Sequence, residues 1–589
     1  MSGSWSTFNV PNTSTGAFTA DIMILLTDGS VLVHNGYVTS LGNANQWLRL
    51  SPDHSGKYET GTWSSEIQMQ FARQWFASGV LSDGRVFVIG GEDCSDPLHP
   101  SDAPTGEIFD PQTNLFSTLN KPPAFNFICG DCNGSVLADG RVLLGAPNSA
   151  AFPLSRLTAI WDPKDDSWTQ AGLEFGAVAS TTKKDPFMEE TFSLLPDGSV
   201  LAPCVQDTPK AQRYVPALDQ WVDCKNAPVN LAITVLKGVT VMETGPTIVL
   251  PDGKAFCIGG TGETATFTPG PHLKSPGSWK KGPDFPKDTS VGANWPLLTA
   301  LDAPACLLPS GKVVLMGGTT NPLDGDYFSL NPLLLEYDPN SSPATLPQLD
   351  VQPSLPAGNY TWQSCFLLLP TGQLLCSAQS ETLFIYTPDP AAGHPHQSWR
   401  PAHISVPSPM KPGHSYTLSG TQINGLSQAV SYGDDGGMAT NYPIVRLTHH
   451  SSGQVVYLRS HRFSSMGIST GHHDRKSCTI DIPASLGKGK WELVVIANGI
   501  PSESIWVEIG FESHHEHSFE GKVERLIYDS FGDFEAFMVI SATHETRIFE
   551  SREPHVAELT KRAWEDRTRV LVSFEPDRPH HARSIALLV

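Results

Sequence analysis

The chain has 589 residues, 17% charged and 39% hydrophobic, which is enough for a sizeable core and more than one domain. Its 39 basic and 60 acidic residues give a net charge of −21, which leaves no basic face for phosphate and argues against nucleic acid as a partner. No run approaches the roughly 18 apolar residues of a membrane span; the opening MSGSWSTFNV also lacks a basic segment followed by an apolar run, so the chain reads as cytoplasmic, or as secreted if a leader has been removed.

From the first residues to about residue 400 one phrase recurs: an apolar run, a two-residue turn, a second apolar run. The copies are LLTDGSVLV, VLSDGRVFVIGG, VLADGRVLLG, LLPDGSVLA, VLPDGKAFCIGG, LLPSGKVVLMGG and LLPTGQLLC. Their turns begin at Asp28, Asp83, Asp139, Asp197, Asp252, Ser310 and Thr371, spaced by 55, 56, 58, 55, 58 and 61 residues, and each is followed by glycine. Glycine accepts the positive φ that a tight hairpin demands. Later in several repeats an aromatic-ended strand precedes an Asp-Pro or similar turn, as in EIFDPQTNLF, AIWDPKDDSW and FIYTPDP. Near-equal periods of this kind predict four-stranded blades around an axis, hence a seven-bladed kelch-type β-propeller over residues 1–402.

Past residue 403 the period stops. SYTLSGTQI, YPIVRLTHH, QVVYLRS, SCTIDIP, KWELVVIAN and SIWVEIG are short strands at the spacing of an immunoglobulin-like β-sandwich, 403–510. FESHHEHSFE reads as a linker over 511–518, with His514, His515 and His517 taken as solvated. Residues 519–589 read as strands, one amphipathic helix (VAELTKRAW) and two more strands, a small β-barrel-like module. Of the ten cysteines, Cys204, Cys257, Cys306 and Cys376 fall in strand-like runs and read as buried hydrophobes, which suits a reducing compartment. Cys129-Gly-Asp-Cys132 is a C-x-x-C motif entering a strand rather than opening a helix, and reads as packing beside the channel.

ARQWFASGVLSDGRVFVIGG, NYTWQSCFLLLPTG, the RSHRFSS loop and KGKWELVVIANGIPSESIWVEI resemble the galactose oxidase and glyoxal oxidase group over residues 1 to about 510. The resemblance implies a propeller followed by an early-set sandwich, with a site at the propeller mouth. In that group a copper ion is held by two tyrosines and two histidines, one tyrosine being cross-linked to a cysteine. Matched position by position, the cross-linked tyrosine corresponds to Trp75, the Tyr-His pair to Trp362 and Gln363, and the cysteine to Ala20, leaving His461 as the counterpart of the histidine from the sandwich. Indole has no phenolate and an amide is a poor copper ligand beside imidazole, so copper and a radical oxidase activity are not expected.

The same phase, eight residues before each turn, brings Ala20, Trp75, Asp131, Glu189, Thr244, Asp302 and Gln363 to the channel mouth, with Glu243 and Trp362 one residue earlier. Small residues four before the turn, Gly79, Ser135 and Ser193, suit a tapering channel. Four carboxylates in a partly dry ring (Asp131, Glu189, Glu243 and Asp302) are either neutralised by a hard cation, Ca²⁺ or Mg²⁺, or shifted in pKa toward acid–base duty, or simply solvated in a wide mouth. Trp75, Trp362, Gln363 and Thr244 are the candidate ligand-positioning residues and His461 a candidate proton carrier. The leading expectation is a non-oxidase enzyme of lyase, isomerase or hydrolase type acting on a small organic molecule through these acids. A carbohydrate- or protein-binding propeller and an oxidase with a rebuilt metal site are the alternatives.

Overall fold

The computed structural model describes residues 3–14, 16–36, 43–92, 94–95, 106–119, 133–145, 156–172, 183–236, 239–290, 295–320, 328–433, 438–471, 473–510, 517–575 and 578–588. The chain is almost wholly β, and it divides into two compact units: 1–407 with 413–483 and 491–506, and 408–412 with 484–490 and 507–589. Among the described residues no helix is long and apolar enough to cross a membrane.

Each of the seven repeated phrases forms an antiparallel hairpin in its own sheet, from Ala20–Leu25 with Val31–Asn35 to Cys365–Leu368 with Leu374–Ser377. The turn chemistry is as the sequence predicts. The glycines after the turn residues have φ between +77° and +88°, and the carboxylates of Asp28, Asp83, Asp139, Asp197 and Asp252 accept the main-chain N–H two residues on. The inner strands are buried on both faces, except for the half-buried Gly134 and Val136, and aromatic residues fill the gaps between sheets, Phe87 against Trp161 being one pair at 6.0 Å.

The ring is closed by the chain's first strand. Ser4–Asn9 pairs antiparallel with Thr382–Thr387, so the sheet that carries the last hairpin takes its outer strand from the opposite end of the sequence. Trp5 locks the closure, its indole donating to the Val351 carbonyl at 2.9 Å and its ring packing on Tyr386.

After residue 402 come two further antiparallel sheets. One is ordered Ala402–Ser405, Ser415–Thr421, Arg475–Asp481, Ser460–His461. The other contains Val455–Leu458, Ile444–His449 and Gly489–Ala497. One short piece of this region leaves its sheets. Val430–Ser431 pairs with the inner edge of Ala305–Leu307 and so enters the propeller channel.

In the second unit, His517–Tyr528, Phe534–Ile540, Thr546–Glu550, Arg569–Glu575 and Arg578–Leu588 form a closed barrel around Phe537, Val539, Phe549, Val570 and Val572. The helix Pro554–Glu565 turns Val556 and Ala563 into that core. His517 and Ser518 lie in the first barrel strand rather than in a linker, because the ladder with Arg569–Glu575 runs to the pair His517–Phe574; His514 and His515 fall outside the described residues. Cys204, Cys257, Cys306 and Cys376 are buried free thiols, while Cys129 and Cys132 fall outside the described residues.

Removing residues 1–9 strips Thr382–Thr387 of its partner and leaves an open sheet edge. The expected result is a lower melting temperature with concentration-dependent association in light scattering. A monodisperse protein with unchanged melting would contradict the closure.

Candidate functional site at the propeller mouth

Trp75 is held by a pinned loop. The Arg73 side chain is fully buried; its guanidinium donates to the Gly90 carbonyl at 3.0 Å and to Glu107 Oε1 at 3.2 Å. The Glu107 carboxylate also accepts the N–H groups of Gln70 and Phe71, and Gln74 forms a two-way main-chain bridge with Glu92. Phe76 is buried against His34 and Trp47. Between these anchors Trp75 adopts φ +46°, a conformation that costs a bulky residue about 1–3 kcal/mol and persists only where its neighbours enforce it.

Trp362 sits in the tight turn Thr361–Gln363. The Thr361 hydroxyl donates to the Leu301 carbonyl at 2.5 Å, Gln363 Oε1 accepts the Tyr360 N–H at 2.9 Å, and Gln363 Nε2 reaches Gln379 Oε1 at 3.3 Å. The two tryptophans meet across the mouth with ring centres 5.9 Å apart at 68°. Trp362 also lies parallel to Tyr360, at 6.0 Å and 9°, and edge-on to Phe328, at 6.3 Å and 64°. The predicted pair is therefore part of a four-ring cluster.

Asp302 belongs to the same neighbourhood. It follows Leu301, whose carbonyl holds Thr361. Its own N–H donates to the Thr244 carbonyl at 3.1 Å, and its φ is +43°. Gly433 packs so closely on it that an added Cβ would come within 2.4 Å of Asp302 Oδ1. Next to Gly433, the Tyr432 hydroxyl donates to the Trp362 carbonyl at 2.8 Å.

The remaining predicted residues are placed less suggestively. The Thr244 hydroxyl is buried and donates to the Leu231 carbonyl at 3.2 Å, which commits it to the framework. Glu243 ends the strand Val239–Glu243 and is 8% exposed; Glu189 is half-buried; Ala20 is fully buried. Asp131 lies outside the described residues. Among the described residues no three His, Cys, Asp or Glu side chains gather closely enough to hold a metal ion.

His461 stands apart from the acids. Its Nε2 meets Asp481 Oδ1 at 3.0 Å, and its Cβ faces the Gly84 turn. Neighbouring bonds from Ser460 N to the Thr27 carbonyl and from Arg459 to the Asp83 carbonyl place this segment on the hairpin turns, the end of the inner strands away from Trp75 and Asp302. Burial opposes the Asp481 charge, but hydrogen bonds from Ser415, His461 and Arg459 hold its carboxyl below the ordinary value.

What enters the channel is the segment 428–433, which hairpin phasing could not reveal. Gln428 Oε1 accepts the Leu194 N–H, the Ser431 hydroxyl lies 3.3 Å from that of Thr191 and accepts the Thr247 N–H, and Val430–Ser431 extends a propeller sheet. Beside it remains a cavity of about 30 Å³, the size of a water site, lined by Asn133, Thr191, Ser193, Thr247 and Tyr432 among others. A larger cavity, about 540 Å³, opens at the hairpin-turn end near Asp197, Asp252 and Trp399, and none of the predicted site residues lines it.

A buried ion pair below the mouth also escaped the sequence reading. Lys183 Nζ lies 2.6 and 2.7 Å from the two oxygens of Glu190, both side chains fully buried, under the rings of Phe187 and Trp221. Burial pushes the Glu190 carboxyl up to about 7 against the pull of the ammonium. Burial likewise opposes the charge on Lys183, but Cys204 and Glu190 outweigh it and raise its pKa.

No family model matches the chain. Two curated proteins do match, both galactose oxidases of Gibberella zeae, each 24% identical over 317 residues. The propeller is galactose-oxidase-like. The match covers 49% of this chain and 42% of each relative, so the chain spans less than half the length of the proteins it resembles. Among solved structures, a fungal alcohol oxidase of the AA5 family in complex with copper aligns at TM-score 0.46 with 16% identity, over 86% of this chain and 100% of that one. YjhT aligns at 0.32 with 11% identity, over 65% and 97%.

The described residues at this mouth do not fit a copper ion. The indoles of Trp75 and Trp362 offer no donor oxygen and pack on each other, the Gln363 amide is spent on Tyr360 and Gln379, and His461 is engaged by Asp481 at the other end of the strands.

Two outcomes follow. Glu190→Gln strands a buried ammonium and is expected to lower stability at neutral pH by about 3–5 kcal/mol. Because the folded carboxyl is raised, the unfolded chain ionises first, and the wild type loses stability from this group as pH climbs from 4.5 through about 7; the variant lacks that slope in denaturant titrations across the range. Arg73→Met frees the loop under Trp75, and a red-shifted, more readily quenched tryptophan emission is expected. An unchanged spectrum in a folded variant would mean that Arg73 does not hold the ring.

Proposed function

We propose that this galactose-oxidase-like propeller binds a small organic ligand at its mouth without copper-radical chemistry. The observation that carries the reading is the Trp75–Trp362 contact. At the two places where the resemblance puts phenolate ligands, the chain presents half-buried indoles held by dedicated framework bonds. Rings fixed in advance offer contact area at little ordering cost, which favours binding.

A second reading, an acid–base enzyme, draws support from Asp302. Its positive φ beside the aromatic cluster is the kind of strain that gathers at reacting groups. His461 takes no part in it, because it lies with Asp481 on the hairpin turns. Glu189 and Glu243 remain candidate partners for Asp302, and neutralising Asp302 separates the readings: an enzyme loses turnover while keeping ligand affinity, whereas a binding protein shows no turnover to lose.

The test is a screen of small alcohols, sugars and amines by tryptophan fluorescence, run with copper-loaded, dialysed protein and a peroxide assay. Saturable quenching that disappears in Trp362→Ala, with neither stoichiometric copper nor peroxide, is the expected result. Stoichiometric copper with peroxide release would overturn the reading.

A further inference from the structure

We infer a second binding site at the hairpin-turn end of the propeller, away from the mouth: the cavity of about 540 Å³ takes a neutral saccharide, with a pyranose ring laid against Trp399. The volume lies within the range of about 300–1,000 Å³ typical of small-molecule sites. The described residues that line it all belong to the first compact unit. Three of its side chains and the charges at its rim carry the argument.

Trp399 is half-buried and fixed in place. It ends the short helical turn Gln397–Trp399, whose start is capped by the His396 ring accepting the Ser398 N–H at 3.3 Å. The indole lies so close over the Gly311 turn that an added Cβ there would come within 2.6 Å of it. Among the described residues nothing accepts its indole N–H. A ring held in this way offers apolar area and one hydrogen-bond donor at little ordering cost.

Gln422 supplies a fixed acceptor. It is 2% exposed, and its Nε2 donates to the carbonyls of Ser398 at 2.7 Å and Arg400 at 3.0 Å. Those two carbonyls set which way round the amide lies and use both of its hydrogens, so Oε1 is the polar atom it has left for the cavity it lines. Ser469, in the same wall, is also 2% exposed, and its Oγ has no partner among the described residues. A buried hydroxyl without a partner is costly, and calls for something that answers it. A purely apolar ligand would leave Gln422 and Ser469 unanswered. A sugar ring brings hydroxyls to such groups while its C–H face covers the indole.

The rim charges make the ligand neutral. Asp252 pairs with Lys254 in its own turn, and Asp197 pairs with Arg213 behind it. Each charged side chain among the described lining residues is therefore answered within the protein, and an ionic ligand gains no partner that is not already taken.

The experiment titrates the full-length protein with the methyl β-glycosides of glucose, galactose, mannose and xylose, and with glucuronate and glucosamine as charged counterparts, reading heat and tryptophan fluorescence. At least one neutral glycoside is expected to bind saturably with a Kd in the millimolar range or tighter, and the charged sugars several-fold more weakly. Trp399→Ala should weaken binding about tenfold or more, and Trp399→Phe should keep part of it. Ser469→Ala should weaken the sugar while leaving the melting temperature of the free protein unchanged or raised, because the hydroxyl it removes has no partner there. Melting temperatures of all variants show that each folds. Saturable binding by none of the four glycosides overturns the inference, and equal or tighter binding of the charged sugars overturns neutrality. Sugar binding that survives Trp399→Ala but is lost in Trp362→Ala overturns this site and places the sugar at the mouth, so the two readings fail separately.

Discussion

The arrangement of the mouth depends on one strand. Val430–Ser431 leaves the region that follows the propeller, adds itself to the inner edge of Ala305–Leu307, and fills the axis along which the inner strands converge. Its contacts reach several sheets at once: Gln428 to Leu194, Ser431 to Thr191 and Thr247, Tyr432 to Trp362. An inner strand edge otherwise exposes unpaired main-chain groups to the channel, and those groups demand partners when buried. The inserted strand supplies them for one sheet and, in doing so, sets the floor on which Trp362 and Asp302 rest.

With the axis occupied, several groups at the rim are already committed to the framework. Thr361, Gln363 and Thr244 secure main chain. Arg73 and Glu107 form a buried pair whose carboxylate also caps two N–H groups of the loop before Trp75. A buried pair of this kind contributes little net stability over apolar packing, but breaking it leaves an uncompensated charge, so it fixes one conformation firmly. The protein's own hydrogen bonds therefore order this rim.

How much of this the sequence disclosed follows from what each residue's role depends on. The seven hairpins were legible because turn geometry is local: glycine at positive φ and an aspartate accepting the N–H two residues on leave the same mark wherever they occur. Trp75, Trp362 and Asp302 were found by counting back from those turns, since position along a regular strand converts directly into height in the channel. Counting fails where the chain leaves the repeat. Tyr432 and Gly433 sit in SYGDDGG, which has the composition of an ordinary sandwich turn, and only the long-range pairing with Ala305–Leu307 shows its destination. His461 was misread as a channel residue for the same reason: its loop does cross the propeller, but over the turns at Thr27 and Gly84. Phe328 and Tyr360 lay outside the phased positions, although Tyr360 is separated from Trp362 by Thr361 alone. Glu190, beside the predicted Glu189, shows the limit of a one-residue phase: the segment is an irregular turn, with the Glu190 N–H bonded back to the Met188 carbonyl, and it is Glu190 that turns inward to Lys183.

The two strained positions bear on how such a mouth can change its chemistry while the fold persists. Trp75 and Asp302 both hold positive φ at the entry to an inner strand, and in each case the bonds enforcing it come from main chain or from side chains outside the mouth: Gln74 with Glu92, Arg73 with Gly90, Asp302 N–H with Thr244. At Trp75 the bonds of the clamp come from Arg73 and Gln74, and not from the indole. A position of that kind can exchange a phenol for an indole without disturbing what holds it, because the backbone conformation is set before the side chain is chosen. That separation between clamp and presented group lets the framework phrases around Trp75 and Trp362 stay galactose-oxidase-like whichever side chain they display.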